Sequence, residues 1–193
     1  VLKMNEGCRY ARNEEYETAC DCFLKALVMQ ENIIPTPELE IANTCRNLGL
    51  AYYYNEQYNE AVIYLNRALH YYAASADEKS QAEVIELSEF LAYCDYYRDE
   101  EESAAKKFQK VAEMHESLNG RLSSGVAKCL RMQGKCLYYI KRYDEAWNLM
   151  NEALGIAIQI DNRKQIVACH KQLYYLCKEF KRTMNERGDE QAS

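Results

Sequence analysis

The sequence is poor in the residues that interrupt regular structure, since its 193 residues include only 7 Gly and 2 Pro. A chain of many strands joined by tight turns needs more of both, so this scarcity argues against an all-β fold. Collagen-like and low-complexity chains are excluded for the same reason. Apolar residues make up 48% and charged residues 28% of the chain, which is the balance of a folded domain.

The sequence also lacks membrane and nucleic-acid signals. No stretch approaches the roughly 18 consecutive apolar residues that a membrane-spanning helix needs, and no apolar signal region precedes a small-residue cleavage site. The formal charge of −6 argues against a nucleic-acid partner, because phosphate binding concentrates Lys and Arg. The sequence begins at Val1, without Met and directly in a helical pattern, so we expect it to be part of a longer protein.

Signatures of metal, disulfide and catalytic sites are missing as well. The 9 Cys are odd in number and include no CxxC pair, unlike a disulfide scaffold or a zinc finger. His170 follows Cys169, but neighbouring residues of a helix point about 100° apart, which is a poor geometry for sharing a metal. There is no Gly-rich phosphate loop, HExxH or GxSxG motif. We therefore expect no metal, no cofactor and no enzyme activity, and reduced thiols packed as small apolar residues in a cytoplasmic protein.

An internal repeat organises the chain. Gly7, Gly49, Ala92 and Gly134 recur at intervals of 42, 43 and 42 residues, and each is followed at fixed distances by an alanine, a large apolar residue and another small residue. These three columns contain Ala19, Ala61, Ala104 and Ala146, then Phe23, Leu65, Phe108 and Met150, then Ala26, Ala68, Val111 and Ala153. Small residues let two helices approach to about 8–10 Å. We expect small-against-small contacts between helices, in units that must stack to bury their apolar faces.

The pattern predicts nine helices. First helices of each unit are predicted near 1–12, 38–55, 79–98, 122–141 and 162–178, and second helices near 15–30, 58–74, 101–117 and 143–159. Thr36-Pro37-Glu38, Asp77 and Asp161 are the predicted start signals, and Asn119-Gly120 is a predicted stop. The acidic residues that follow Asp99 are predicted to stabilise the start of a second helix through its dipole.

The second repeat carries a family resemblance. Asn47-Leu48-Gly49-Leu50-Ala51-Tyr52, followed by Tyr58-Asn59-Glu60-Ala61, resembles the consensus of the tetratricopeptide repeat (TPR), whereas the third repeat has Asp95 where tyrosine is usual. The period exceeds the family's usual length of about 34 residues, as in the long-repeat branch of kinesin light chain and the LGN/Pins-type adaptors. The resemblance implies an all-α, right-handed superhelix of antiparallel helix pairs, with four repeats and a closing helix. The implied boundaries are one array over 1–186, with repeats near 1–36, 37–77, 78–120 and 121–160, a closing helix 161–186 and a polar tail 187–193.

Tyrosine is over-represented, with 17 Tyr against 4 Phe and 1 Trp. Eight of them form twin pairs in one register: Tyr53-Tyr54, Tyr96-Tyr97, Tyr138-Tyr139 and Tyr174-Tyr175. A tyrosine has a rigid apolar body and a polar tip, which suits a surface that recognises peptides. The pairs fit two interpretations: packing between repeats, or at least one member of each pair lining a ligand groove.

The resemblance implies that the first helices line a concave groove that binds a partner peptide or helix. The groove residues implied by the family's register are Asn5, Arg12, Arg46, Asn47, Leu50, Tyr53, Tyr54, Glu89, Tyr93, Tyr96, Tyr97, Arg131, Lys135, Tyr138 and Tyr139. Asn5 and Asn47 match amides that hydrogen-bond the backbone of a bound segment. The basic residues favour a partner with acidic residues, or else they pair with acidic residues of this chain, such as Glu86.

Two other functions fit the same fold. The chain would serve as a structural subunit of a larger assembly, through its array ends or convex face and with possible self-association, or as a bacterial regulator that senses a short signalling peptide. The outer apolar set is modest, and the nine cysteines argue against the bacterial regulator.

Overall fold

The computed structural model describes residues 2–35, 38–74 and 78–192, with side chains as far as Arg182 except that of Glu78. Within these ranges the chain forms nine α-helices and no strand, so the predicted all-α class is confirmed. The helices are α1 Leu2–Arg12, α2 Tyr16–Glu31, α3 Glu38–Tyr54, α4 Tyr58–Ala73, α5 Glu78–Tyr97, α6 Glu101–Asn119, α7 Ser124–Tyr139, α8 Tyr143–Gln159 and α9 Arg163–Ala192. The predicted start signals at Thr36-Pro37 and Asp77 lie outside the described residues.

The described chain divides into two compact units between Glu100 and Glu101. Unit 1 contains α1–α5 and unit 2 contains α6–α9. In each unit, helices that follow one another along the chain pack side by side. The continuous array that we expect from the sequence stays a prediction.

The last helix is longer than predicted. It continues to Ala192, so residues 187–192, which we predicted to be a polar tail, are helical. The segment contains Arg, Glu, Gln and Ala, which favour helix, and no Pro. Gly188 costs only about 1 kcal/mol in a helix interior, so it does not end α9.

The turn between the two helices of each repeat has a recurring backbone geometry. One residue in each turn has a positive φ, and these residues are Glu14 (63°), Glu56 (60°), Asp99 (57°) and Lys141 (64°). At the second of them, the amide of Gln57 donates to the carbonyl of Tyr52 at 2.9 Å, which closes a Schellman motif. Sequence reasoning missed these turns, because the usual signal is a glycine and none of the four is one.

Two predicted helix ends have different outcomes. The stop at Asn119-Gly120 is confirmed, since α6 ends at Asn119 and Gly120 has a φ of 78°. The cap at Asp161 is wrong, because Asp161 takes the left-handed turn conformation with a φ of 51°. The capping residue is instead Asn162, whose Oδ1 accepts a hydrogen bond from the amide of Gln165 at 3.2 Å.

The repeat columns form the core. The four alanines of the first column are fully buried, and the large apolar residues that follow them are at most 1% exposed. The glycines meet the large residues, and at Gly134 the expected contact between small residues is present as well, since an added Cβ would lie 3.2 Å from the carbonyl oxygen of Ala146. A Cβ added to Gly49 would lie 2.8 Å from Leu65 Cγ, and Gly7 and Gly134 face Phe23 and Met150 in the same way. The glycine therefore makes room for the large side chain of its own repeat.

Seven of the nine cysteines are buried, as expected for packing residues. They are Cys20, Cys22, Cys45, Cys94, Cys129, Cys136 and Cys169. Burial raises the pKa of Cys20 to about 11 and that of Cys136 to about 12. These two thiols are therefore protonated at neutral pH, the state in which a thiol is a poor nucleophile.

A glycine of the repeat column and a glycine outside it should respond to substitution in opposite ways. Gly49→Ala should lower the free energy of unfolding by about 1–3 kcal/mol, because its Cβ would clash with Leu65, including the backbone nitrogen at 3.0 Å. Gly155→Ala, in α8, should raise it by about 0.5–1 kcal/mol, because nothing lies within 4 Å and alanine favours helix. Urea unfolding of both variants checks the pair; equal signs would contradict the packing role of Gly49.

Candidate functional site

The twin tyrosines have different environments within each pair. In the first three pairs the first tyrosine is half-buried, and the second is 51% (Tyr54), 49% (Tyr97) and 50% (Tyr139) exposed. In the last pair, both Tyr174 and Tyr175 are exposed. In these three pairs, therefore, the first tyrosine is placed for packing between helices, and its neighbour is accessible at the surface.

Tyr53 shows what the packing member does. Its ring centroid lies 5.0 Å from that of Phe90, 6.1 Å from that of Tyr97 and 6.5 Å from that of Tyr93, all three on α5. Burial, followed by the nearby Tyr97 and Tyr93, raises the pKa of the Tyr53 hydroxyl. Tyr53 thus joins the second repeat to the first helix of the third.

A second tyrosine column, which sequence reasoning missed, stacks on the exposed twins of unit 1. Tyr16 stacks on Tyr54 of the next repeat with a centroid distance of 5.4 Å, and Tyr58 stacks on Tyr97 with a distance of 5.0 Å. Tyr16 and Tyr58 are the first residues of α2 and α4, and Tyr143 begins α8 in the same register. The signal was a tyrosine two residues after the positive-φ position of three of the four turns, with Glu101 at the corresponding place after the third. These stacks hold each exposed twin in place from the neighbouring repeat.

Unit 1 contains a surface hollow of about 460 Å³ that gathers four of the predicted groove residues: Arg12, Asn47, Leu50 and Tyr54. We call it the unit-1 hollow; its other lining residues are Cys8, Ala11, Tyr16, Phe23 and Ala51. The Asn47 amide is only loosely held, with Nδ2 at 4.0 Å from Cys8 Sγ and Oδ1 at 3.5 Å from Arg46 Nη1. The hollow is thus mainly apolar, with one cation and one amide.

Arg46, although predicted for the groove, is held by acidic residues of this chain. Its Nε lies 2.6 Å from Glu83 Oε2, and its Nη2 donates to Glu86 Oε2 at 2.6 Å. Both carboxylates belong to α5, so the pairs join α3 to α5. Of the two roles that the sequence left open for this arginine, pairing within the chain is the one the structure shows. An acidic ligand would have to compete with two carboxylates for Arg46.

Unit 2 contains a larger surface hollow, of about 560 Å³, between α7 and α9. We call it the unit-2 hollow; it is lined by Arg131, Lys135, Tyr138, Tyr139, Met150, Ala168, Lys171, Gln172 and Tyr175. Four of these are predicted groove residues, and Tyr175 continues the tyrosine row. Three of the nine are cations and none is a carboxylate, so the lining carries a formal +3.

Two amides shape this hollow, and sequence reasoning missed both. Gln165 Oε1 accepts a hydrogen bond from Arg131 Nε at 3.0 Å, which fixes that edge of the guanidinium. Gln172 Oε1 is buried and has no hydrogen-bond partner among the described residues. A buried amide oxygen without a partner costs about 1–3 kcal/mol, so a rotation that brings it to a ligand N–H is favoured. Burial, with a contribution from the charge of Glu179, raises the pKa of Tyr138, which therefore stays neutral in this wall.

The remaining predicted residues lie outside the two hollows. Asn5 is exposed on α1, whereas Glu89, Tyr93 and Tyr96 are half-buried on α5. Among the residues that the structure describes, no group of three His, Cys, Asp or Glu side chains is placed to hold a metal ion. None of the described helices combines the length and apolarity that crossing a membrane requires.

Comparison with known sequences gives a distant relative. No family model matches the chain. Protein HGV2 of Halocynthia roretzi is 25% identical over 123 residues, which are 62% of this chain and 22% of the relative. The chain therefore spans about a fifth of the length of this curated protein.

Solved structures decide the fold. The apo form of RapI matches with a TM-score of 0.74 at 22% identity, over 90% of this chain and 48% of that chain. A Rap protein complexed with Competence and Sporulation Factor matches with a TM-score of 0.65 at 18% identity, over 94% and 49%. A putative kinesin light chain from Podosopora anserina with nearly identical TPR-like repeats matches with a TM-score of 0.71 at 13% identity, over 100% and 96%. The chain has a TPR-type helical repeat fold. In each unit, the hollow is lined mainly by residues of first helices, to which the TPR resemblance assigns ligand binding.

Tyr53 gives a pH prediction for this TPR-type chain. Its folded pKa is raised above the ordinary value of 10, so the unfolded chain loses the proton first and stability falls as the pH rises above about 10. Tyr53→Phe should make this fall shallower, by up to about 1.4 kcal/mol per pH unit. Urea unfolding between neutral and alkaline pH checks the slope, with Tyr54→Phe, on the exposed neighbouring ring, as control. A slope unchanged by Tyr53→Phe, or equally changed by the control, would contradict the assignment.

Proposed function

We propose that this TPR-type chain is a non-enzymatic adaptor that binds an acidic segment of another protein in the unit-2 hollow. The observation that carries the proposal is the charge of the lining: Arg131, Lys135 and Lys171 line one hollow, and none of its described lining residues is acidic. A ligand that carries carboxylates can form ion pairs with these cations, so the charge of the lining favours an acidic segment.

The arginine and the tyrosines of the hollow suit different parts of a bound segment. Arginine pairs with a carboxylate through two parallel N–H donors, and Arg131 is already oriented by Gln165. The tyrosines Tyr138, Tyr139 and Tyr175 offer rigid apolar surface with polar tips, which pack against a segment at a low entropic cost. An acidic residue next to an apolar one is therefore the favoured ligand sequence.

A structural neighbour supports the binding of a ligand by this fold. The Rap protein with a similar fold was solved in complex with Competence and Sporulation Factor. At 18% identity this likeness shows the fold alone, and it supports the proposal only as an example of what the fold can accommodate. The bacterial-regulator alternative from the sequence shares this support, and the charge of the unit-2 hollow does not separate the two.

The unit-1 hollow fits a second, weaker contact. Asn47 is only loosely bonded within the chain, so its amide can pair with the backbone of a bound segment. Arg12 is the cation of this lining, because Arg46 is engaged by Glu83 and Glu86. We therefore expect the acidic residues of a ligand to pair with the cations of the unit-2 hollow and not with Arg46.

Substitutions in the unit-2 hollow test the proposal. The ligand is a segment selected from a peptide array of candidate partners, and Arg131→Ala should weaken its binding by about 1–3 kcal/mol because a charged hydrogen bond is lost. Arg46→Ala, by contrast, should leave binding within a factor of about two while lowering stability. Fluorescence anisotropy measures the affinity, and circular dichroism confirms normal helicity.

A matched ligand and a matched variant complete the design. The same segment with Asp and Glu replaced by Asn and Gln should bind the wild type more weakly. Its affinity should not change further when Arg131 is replaced by Ala. Lys110→Ala, on exposed α6 surface, controls for net charge. Binding that survives Arg131→Ala, or that does not depend on the ligand's carboxylates, would contradict the proposal.

One observation favours the structural-subunit alternative. Unit 1 has exposed apolar side chains at the start of α1, at the end of α2 and just after it, and at the start of α3. They are Leu2, Val28, Met29, Ile33, Ile34 and Leu39. Burial of such a set by a second copy would make the apparent mass rise with concentration. Light scattering decides: a monomer at all concentrations contradicts self-association, and a dimer lost on Val28→Ser and Met29→Ser supports it.

A further inference from the structure

The helix α9 carries a charge opposite to that of the rest of the chain. Its residues 163–192 include seven Lys or Arg and four Asp or Glu, a formal +3, whereas the whole chain has a charge of −6. The remaining residues therefore carry a formal −9. A basic helix within an acidic chain indicates a site for a partner of negative charge.

The basic side chains form a regular row on the exposed face of α9. Lys164, Lys171 and Lys178 recur at an interval of seven residues and are all exposed. Along a helix this interval is about 10.5 Å. Beside them Val167 and Tyr174 recur at the same interval and are 68% and 60% exposed. We call these five residues the outer stripe; the ammonium of Lys178 lies 5.7 Å from the centre of the Tyr174 ring.

The repeat register shows why this face is open. Leu173 follows Leu137 by 36 residues, and the same shift places His170 where Gly134 stands in α7. Gly134 is buried against Met150 of the second helix of its repeat, whereas His170 is exposed. Because α9 continues as one helix to Ala192, no second helix of the described chain turns back over this face.

We propose that the outer stripe docks an acidic amphipathic helix of a partner protein. A helix that lies alongside α9 repeats its side chains at the same interval of about 10.5 Å. Its apolar residues would contact Val167 and Tyr174 while acidic residues at its flank pair with the lysine row, as in coiled coils. Nucleic-acid phosphates repeat at about 3.4 Å along a strand and offer no apolar match to Val167. The negative charge of the remaining chain also repels an extended polyanion.

This docking surface overlaps the unit-2 hollow at one residue. Of the outer stripe, only Lys171 also lines that hollow. The test therefore changes Lys164 and Lys178 and leaves the hollow intact, so that failure of one proposal does not decide the other.

The probe is a designed helical peptide of three heptads, with Leu at the a and d positions and Glu at the e and g positions. It should bind the intact chain, more weakly at high salt, and fluorescence anisotropy measures the affinity. The double variant Lys164→Glu and Lys178→Glu should weaken binding by about tenfold or more, because two attractive pairs become repulsive. Tyr174→Ala should weaken it by about fivefold through loss of apolar contact.

The control is the double variant Lys110→Glu and Lys141→Glu, which makes the same change in net charge at exposed positions elsewhere in unit 2. It should bind the probe within about twofold of the wild type. Circular dichroism verifies that every variant is folded. The proposal is overturned if the probe does not bind, if the control loses as much affinity as the stripe variant, or if a peptide with Lys in place of Glu binds equally well. Equal or tighter binding of phosphatidylserine vesicles or single-stranded DNA through the same lysines would also overturn it.

Discussion

Three of the repeats depend on the contact between a glycine of the first helix and a large apolar residue of the second. Gly49 against Leu65 is the clearest case, since there is no room for even one methyl group. Sixteen residues separate the two partners, and Gly7–Phe23 and Gly134–Met150 repeat the separation. The contact fixes how closely the helices of a pair approach, and this in turn decides which side chains of the first helix stay exposed.

The exposed side chains of the first helices follow from this packing. In α7, the face of Gly134 is covered by α8, so Arg131, Lys135 and Tyr139 remain on the side where α9 leaves a hollow. In α3 the same arrangement exposes Tyr54, but the carboxylates of α5 engage Arg46. Arg46 and Arg131 occupy equivalent positions of their repeats but have different partners. Arg46 pairs with carboxylates of α5, whereas Arg131 donates to the amide oxygen of Gln165 in α9.

Much of the fold and part of the site could be predicted from the sequence. The interval of 42 residues and the columns of small and large residues locate the helices, because burial requires those residue types at fixed positions. The turns could not be predicted, because Glu14 and Lys141 adopt a positive φ that glycine usually signals. The pairing of Arg46 and the place of Gln172 depend on contacts between residues about 40 apart, which a pattern along the chain does not specify.

The central claim is that the first helices of unit 2, and not the second helices, hold the partner. Site-specific photocrosslinking tests it most directly, with p-benzoylphenylalanine in place of Tyr139 in the unit-2 hollow or in place of Asn148, which is exposed on α8. We expect the partner to crosslink from position 139 through a segment rich in Asp and Glu, and not from position 148. Crosslinking from position 148 alone, or from position 139 to a segment without acidic residues, would contradict it.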